Sequence, residues 1–197
     1  MAQEFGRVAN ENGSPAHPGG QTLGFREFVA LMAGMMALTA FALDMMLPAL
    51  PDIARTHGLA ARSDVQMVVV IYLLGLAAGH LYAGLLADRI GRKPVVMVGL
   101  GSFAIGSLAV ALAPTFELLL VARFVQGLGV AGPRVMVMTL VRDRYSGAAM
   151  ARVMSLVLTV FIVVPLFAPG VGALALAVMP WQGLFVTLLV AAAGCTQ

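Results

Sequence analysis

Apolar residues in this chain come in six long runs, separated by short clusters of charge, proline or glycine. The first occupies Phe28 to Leu43 and continues past Asp44 to Leu50. The second runs from about Val65 to Ala87, the third from Pro94 to Ala113, and the fourth from about Leu118 to Leu140. The fifth covers roughly Val153 to Val178, interrupted by Pro165, Pro169 and Gly172, and the sixth begins near Gly183 and is still apolar at Gln197. A helix crosses the hydrocarbon of a bilayer in about 20 residues, so the pattern predicts six membrane spans, the last one short. Residues Met1 to Gly24 are rich in Gly, Pro, Asn and other polar types and can bury no core; they read as a disordered cytoplasmic tail. The predicted organisation is a tail over 1–24 and a six-helix transmembrane bundle over 25–197.

Composition agrees with that pattern. Of 197 residues, 60% are hydrophobic and 11% charged, and the mean hydropathy is +0.95, whereas a soluble domain carries roughly 25% charged residues. The class is an all-α membrane protein. Ala40-Phe41-Ala42 has the small-x-small form of a signal-peptide cleavage site. The long preceding segment with Glu4, Glu11 and Glu27 is unlike a short positive n-region, so a span is the better reading. The formal charge of +3 does not point to nucleic acid, because the cations sit at the ends of apolar runs. Arg89, Arg92 and Lys93 lie between spans two and three, and Arg142, Arg144 and Arg152 follow span four. The opposite loops carry only Arg55 and Arg62. That asymmetry predicts a cytoplasmic N-terminus in an inner (plasma) membrane, with Trp181 at the outer interface.

Several chemistries drop out. One cysteine, Cys195, and three histidines, His17, His57 and His80, offer no metal-ligand spacing and no disulfide framework. Gly127-Leu128-Gly129-Val130-Ala131-Gly132 matches the dinucleotide fingerprint G-x-G-x-x-G. That motif needs a strand before it and an exposed helix start after it, and here it lies inside a span, where close helix packing accounts for it. Gly75 and Gly79 form a G-x-x-x-G with the same reading. Ser102, Ser107 and His80 have no spacing that pairs a nucleophile with a base, so an intramembrane protease is not indicated.

Ionisable side chains inside a membrane are costly and usually face a cavity or a partner. Asp44, Arg123 and Arg134 are the candidates. At about 1.5 Å of rise per residue, Asp44 near the outer end of span one and Arg123 in span four fall at similar depth, which predicts a carboxylate–guanidinium pair. The alternatives are an interfacial Asp44 reaching water and an Arg123 snorkelling to the headgroups. Arg134 returns to nearly the face of Arg123 at about 100° per residue, and Gln126 and Gly127 lie on or near that stripe, which suggests an aqueous pathway. A carboxylate at such a site gains and loses a proton as desolvation and a nearby guanidinium are traded against each other.

The segment Gly84-Leu85-Leu86-Ala87-Asp88-Arg89-Ile90-Gly91-Arg92-Lys93 resembles the major facilitator signature G-x-x-x-D-R-x-G-R-K/R between helices two and three, and meets every fixed position. Arg123-Phe124-Val125-Gln126-Gly127-Leu128-Gly129 is similar to the fourth-helix R-x-x-Q-G-x-G pattern of the family's exporters. Asp44-Met45-Met46-Leu47-Pro48-Ala49-Leu50-Pro51 and Val141-Arg142-Asp143 resemble the Bcr/CflA-type branch of bicyclomycin and chloramphenicol exporters. Ala168-Pro169-Gly170-Val171-Gly172-Ala173 resembles the helix-five antiporter motif G-P-x-x-G-G, with Ala at both outer glycine positions; Pro165 lies one turn earlier.

The resemblance implies the N-terminal half of a major facilitator fold and export of small amphipathic molecules by alternating access. The proton gradient would drive it, with no cofactor. It implies Asp44, Arg123, Arg134 and Gln126 as coupling and substrate-site candidates, and a cytoplasmic gate at Gly84, Asp88, Arg89, Gly91, Arg92 and Lys93. The family has twelve helices in two halves with the substrate between them, whereas this chain stops inside the sixth. Its expected partners are therefore membrane lipid and a missing C-terminal half or a second copy. A fragment that inserts without transporting is the alternative. Met45 and Met46 fit either a ligand cavity or lipid-facing packing.

Overall fold

The computed structural model describes residues 24–59 and 62–194, so the predicted tail, apart from Gly24, and Cys195 fall outside the described residues. Helix α1 spans Phe25–Asp44, followed by a 3₁₀ turn at Leu47–Ala49 and a short α2 at Leu50–Thr56. Then come α3 (Arg62–Ile90), α4 (Arg92–Ala111), α5 (Phe116–Arg144), α6 (Gly147–Leu176) and α7 (Trp181–Gly194). All regular structure among the described residues is helical, as backbone with no water to bond it requires. The segments Phe25–Thr56 and α3 to α6 are long and apolar enough to cross a membrane, and α7 is a shorter apolar helix. The helices outrun their apolar runs: α5 includes Glu117, Arg142 and Arg144 in its end turns.

Two proline pairs behave oppositely to expectation. The first span was expected to continue through Leu50, but α1 ends at Asp44. Pro48 lacks the N–H that would bond the Asp44 carbonyl, and Pro51 lacks the one that would bond Leu47; the chain leaves α1 through a tighter turn. With 20 residues, α1 is long enough to span before it breaks. The fifth span was expected to be interrupted at Pro165, Pro169 and Gly172, yet α6 is one continuous helix across all three. Inside an apolar run a break would strand backbone groups away from water, so the helix absorbs its prolines.

At the centre of the bundle is α5, packed along α3 on one side and α4 on the other, while α1 packs on α6 and α4 on α7. Glycines set the approach. A Cβ on Gly75 would strike the Phe124 carbonyl, and one on Gly79 would come within 2.6 Å of Ala131 and of the Leu128 carbonyl. From the other partner, Gly127 meets the Tyr72 carbonyl of α3, while Gly129 and Gly132 abut α4 at Phe103 and Val95. The glycine string in α5 is thus a two-sided packing surface. Trp181 opens α7 as expected, but its ring turns into the protein. It is 5% exposed, donates from Nε1 to Thr56 Oγ1 at 3.3 Å and packs edge-on to Phe185.

Candidate functional site

Five helices converge on Arg123. Gly127 brings the backbone of α3 against α5, and Gly106 of α4 does the same from the other side, since a Cβ there would lie 2.7 Å from the Gln126 backbone nitrogen. Between those contacts Arg123 is 0% exposed. Its Nη1 donates to Gln126 Oε1 at 2.7 Å and to the Ala42 carbonyl of α1 at 3.3 Å. Gln126 Nε2 donates onward to Ser107 Oγ of α4 at 2.7 Å, and Ser107 donates to the Phe103 carbonyl at 2.9 Å. The guanidinium lies 5.5 Å from the Tyr72 ring of α3 and 4.9 Å from the Phe185 ring of α7. Two aromatic faces and neutral oxygens therefore surround a buried cation. Its Nε and Nη2 are buried with no hydrogen-bond partner, a demanding state for charged donors.

The expected pair with Asp44 does not form. Arg123 reaches the right depth, but it binds a carbonyl two residues before Asp44 rather than the carboxylate, and no ion pair links the two. Asp44 is half-buried on the last turn of α1, so its side chain leaves as the helix breaks. Full burial also removes snorkelling as the account of Arg123. Gly172 of α6 closes on this break, since a Cβ there would strike the Met45 carbonyl and meet Pro48 at 3.1 Å. Gly170, by contrast, faces open space, and Pro165 and Pro169 are half-buried. Both Met45 and Met46 are buried in the core, which removes their lipid-facing reading.

Further along α5, Arg134 opens onto a cavity of about 370 Å³ between α1, α3, α5 and α6. Met36, His80, Met138, Leu158 and Phe161 are among its walls. The guanidinium sits 5.0 Å from the Phe161 ring centroid. The polar stripe expected from Arg123 through Gln126 to Arg134 is thus interrupted: its Arg123 end is sealed by rings and its Arg134 end is open. Of the residues around these two arginines, Tyr72, Phe185 and Phe161 carried no motif, and their positions depend on helix approach that spacing within one helix does not report. Ser107 and His80 were visible as polar positions in spans, but the bond from Gln126 to Ser107 and the cavity that His80 lines depend on other helices.

Near the junction of α3 and α4, Gly91 takes φ +86°, a left-handed conformation that favours glycine, and the chain reverses there. Asp88, Arg89, Gly91 and Lys93 are exposed, while Gly84 is half-buried. Arg92 pairs with Asp143 near the end of α5, tying the loop to the segment Val141-Arg142-Asp143. Asp88 forms no ion pair among the described residues.

The family model for the Major Facilitator Superfamily matches residues 32–196. The chain belongs to that superfamily. Its likeness extends to the multidrug resistance protein MdtL of Shewanella oneidensis, 37% identical over 79% of this chain and 39% of that protein. MdtL of Klebsiella pneumoniae is 36% identical over 82% of this chain and 41% of that protein, and MdtL of Escherichia coli O8 is 37% identical over the same shares. The chain thus spans about two fifths of the length of these relatives. As a major facilitator member it is a multi-pass membrane protein of a transporter family, not an enzyme. The superfamily's half-bundle is the fold described above, with α1 and α3 to α7 as its six helices.

Proposed function

We propose that this chain is the first half of a proton-coupled exporter of the Bcr/CflA type, moving small amphipathic molecules out across the inner membrane. Its N-terminus lies in the cytoplasm, because Arg89, Arg92, Lys93, Arg142, Arg144 and Arg152 flank one end of the bundle. The observation that carries the reading is Arg123, enclosed with two unpartnered donors beside the helix break that follows Asp44. Burying a charge with unused hydrogen-bond capacity is costly, and a second arrangement that uses those donors gives a reason for keeping it. Movement of the α1 break brings the Asp44 carboxylate to those donors, and its return to the present place separates the two again. Carrying a proton on Asp44 in one arrangement and releasing it in the other couples export to the gradient, with no cofactor. The MdtL relatives, described as multidrug resistance proteins, support the substrate class.

Transport needs a second six-helix half facing this one, from further sequence, a separate chain or a second copy. The loop at Gly84, Asp88, Arg89, Gly91, Arg92 and Lys93 gates the cytoplasmic side in this reading. Arg92 holds the loop through Asp143, and Asp88 faces the second half. The test is drug accumulation in cells lacking their own exporters and expressing this chain, with and without a protonophore. Lowered accumulation that the protonophore restores, and that Asp44→Asn abolishes, is the expected result. Export retained by Asp44→Asn removes the carboxylate from the mechanism, and unchanged accumulation with the protein present in the membrane removes transport by this chain.

A further inference from the structure

Arg134 is a cation without a counter-charge. Among the described residues it makes no ion pair, and no carboxylate lines the cavity it enters. Its neighbour is the Phe161 ring, 5.0 Å away at the centroid, which leaves the edge of the guanidinium, with its forked N–H donors, free to take a planar anion. Across the cavity from α3 comes His80. Its Nδ1 lies 2.6 Å from the Leu76 carbonyl, so that nitrogen carries the hydrogen and Nε2 is an acceptor, a polar wall group that does not compete with Arg134 for an anion. The remaining walls are Met36, Val135, Met138, Thr139, Leu158 and Phe161, mostly apolar surface suited to a flat apolar body, with the Thr139 hydroxyl donating to the Val135 carbonyl. A volume of about 370 Å³ lies in the range that holds one small organic molecule.

We infer that this cavity is a binding site for an amphipathic organic carboxylate, its anionic head held by Arg134 and its aromatic or aliphatic body on Phe161 and the methionines. The inference deepens the exporter reading, on which it rests for treating the cavity as a ligand site. It adds a sign and a shape to the substrate: acidic head, apolar body. An anionic lipid headgroup shares that chemistry but has two acyl chains that the cavity cannot enclose.

The test compares naphthoate with its neutral isostere naphthamide, binding to the full 197-residue chain in phosphatidylcholine nanodiscs and read by ligand fluorescence. A charge-assisted bidentate contact in an apolar site predicts that naphthoate binds at least about tenfold tighter than naphthamide. Arg134→Gln lowers naphthoate affinity to that of naphthamide, and Arg134→Lys, which keeps the charge and loses the fork, restores part of the preference. Equal binding of the two probes to the unaltered chain overturns the inference, as does a preference that survives Arg134→Gln. Loss of the preference when phosphatidylglycerol replaces phosphatidylcholine assigns the anion site to lipid and overturns it too. The exporter reading fails separately: a chain that prefers naphthoate but exports nothing keeps the site and loses the function. One that exports while binding both probes alike does the reverse.

Discussion

Arg123 and Arg134 are two arginines on nearly one face of one helix, with opposite surroundings. Around Arg123, Gly106 and Gly127 let α4 and α3 come so close to α5 that groups from five helices enclose it. Around Arg134, α3 and α4 still close on α5 at Ala131 and Pro133, but towards α1 and α6 a cavity of about 370 Å³ remains. Periodicity along α5 aims both side chains the same way; what differs is how near the partner helices come. Small residues in the facing helices therefore decide whether a membrane arginine becomes part of the packing or part of a site.

The comparison breaks most severely if the close approach is lost. Gly127→Leu places a side chain where the Tyr72 carbonyl of α3 now lies, and backbone cannot yield as a rotamer can. Destabilisation of about 3 kcal/mol or more is expected, read as loss of monodisperse protein in mild detergent or a collapse of the thermal midpoint. Wild-type behaviour in this variant means α3 and α5 are not in contact there.

Next in size is Arg123→Ala, which empties a fully enclosed volume and strips Gln126 of its donor. A loss of about 3–5 kcal/mol follows from the cavity and the unpaired polar group together. Arg123→Met keeps most of the volume and removes a desolvated charge but still leaves Gln126 Oε1 without its donor, so a loss of about 1–3 kcal/mol is expected, smaller than that of alanine. If the methionine variant is stable but no longer exports, Arg123 acts through its charge; if it still exports, the residue is packing alone.

How much of this was legible follows the same division. Six apolar runs report six helices because the lipid demands internal hydrogen bonding over a fixed thickness, and the glycine strings in α3 and α5 were readable as packing faces. The sign of the proline effects was not. Pro48 and Pro51 break the chain where α1 is already long enough to span, while Pro165 and Pro169 sit within a helix that continues. Residue type alone does not distinguish the two cases without position along the span. The depth of Arg123 relative to Asp44 came from counting residues, but its actual acceptor, the Ala42 carbonyl, required knowing that α1 packs beside α5. Tyr72, Phe185 and Phe161 belong to the sites only through contacts between helices, which periodicity within one helix does not encode.

The smallest stability effect belongs to the open side. Arg134→Gln gives up one contact with Phe161 and leaves the cavity lining otherwise intact, so a change of no more than about 1 kcal/mol is expected in the same unfolding assay. A loss comparable to Arg123→Ala places Arg134 in the packing and abolishes the distinction between the two sites.

Thiol accessibility tests that distinction most directly. With Cys195 replaced by serine, Ser107→Cys puts a thiol at the floor of the Arg123 enclosure, where Ser107 is 0% exposed. In the same background, Thr139→Cys puts one on the wall of the Arg134 cavity. Both changes nearly conserve volume. Reaction with a small, water-soluble methanethiosulfonate in native membranes is expected at the Thr139→Cys thiol and absent at the Ser107→Cys thiol. Equal labelling of both, or labelling of Ser107→Cys alone, contradicts a sealed arginine beside an open one.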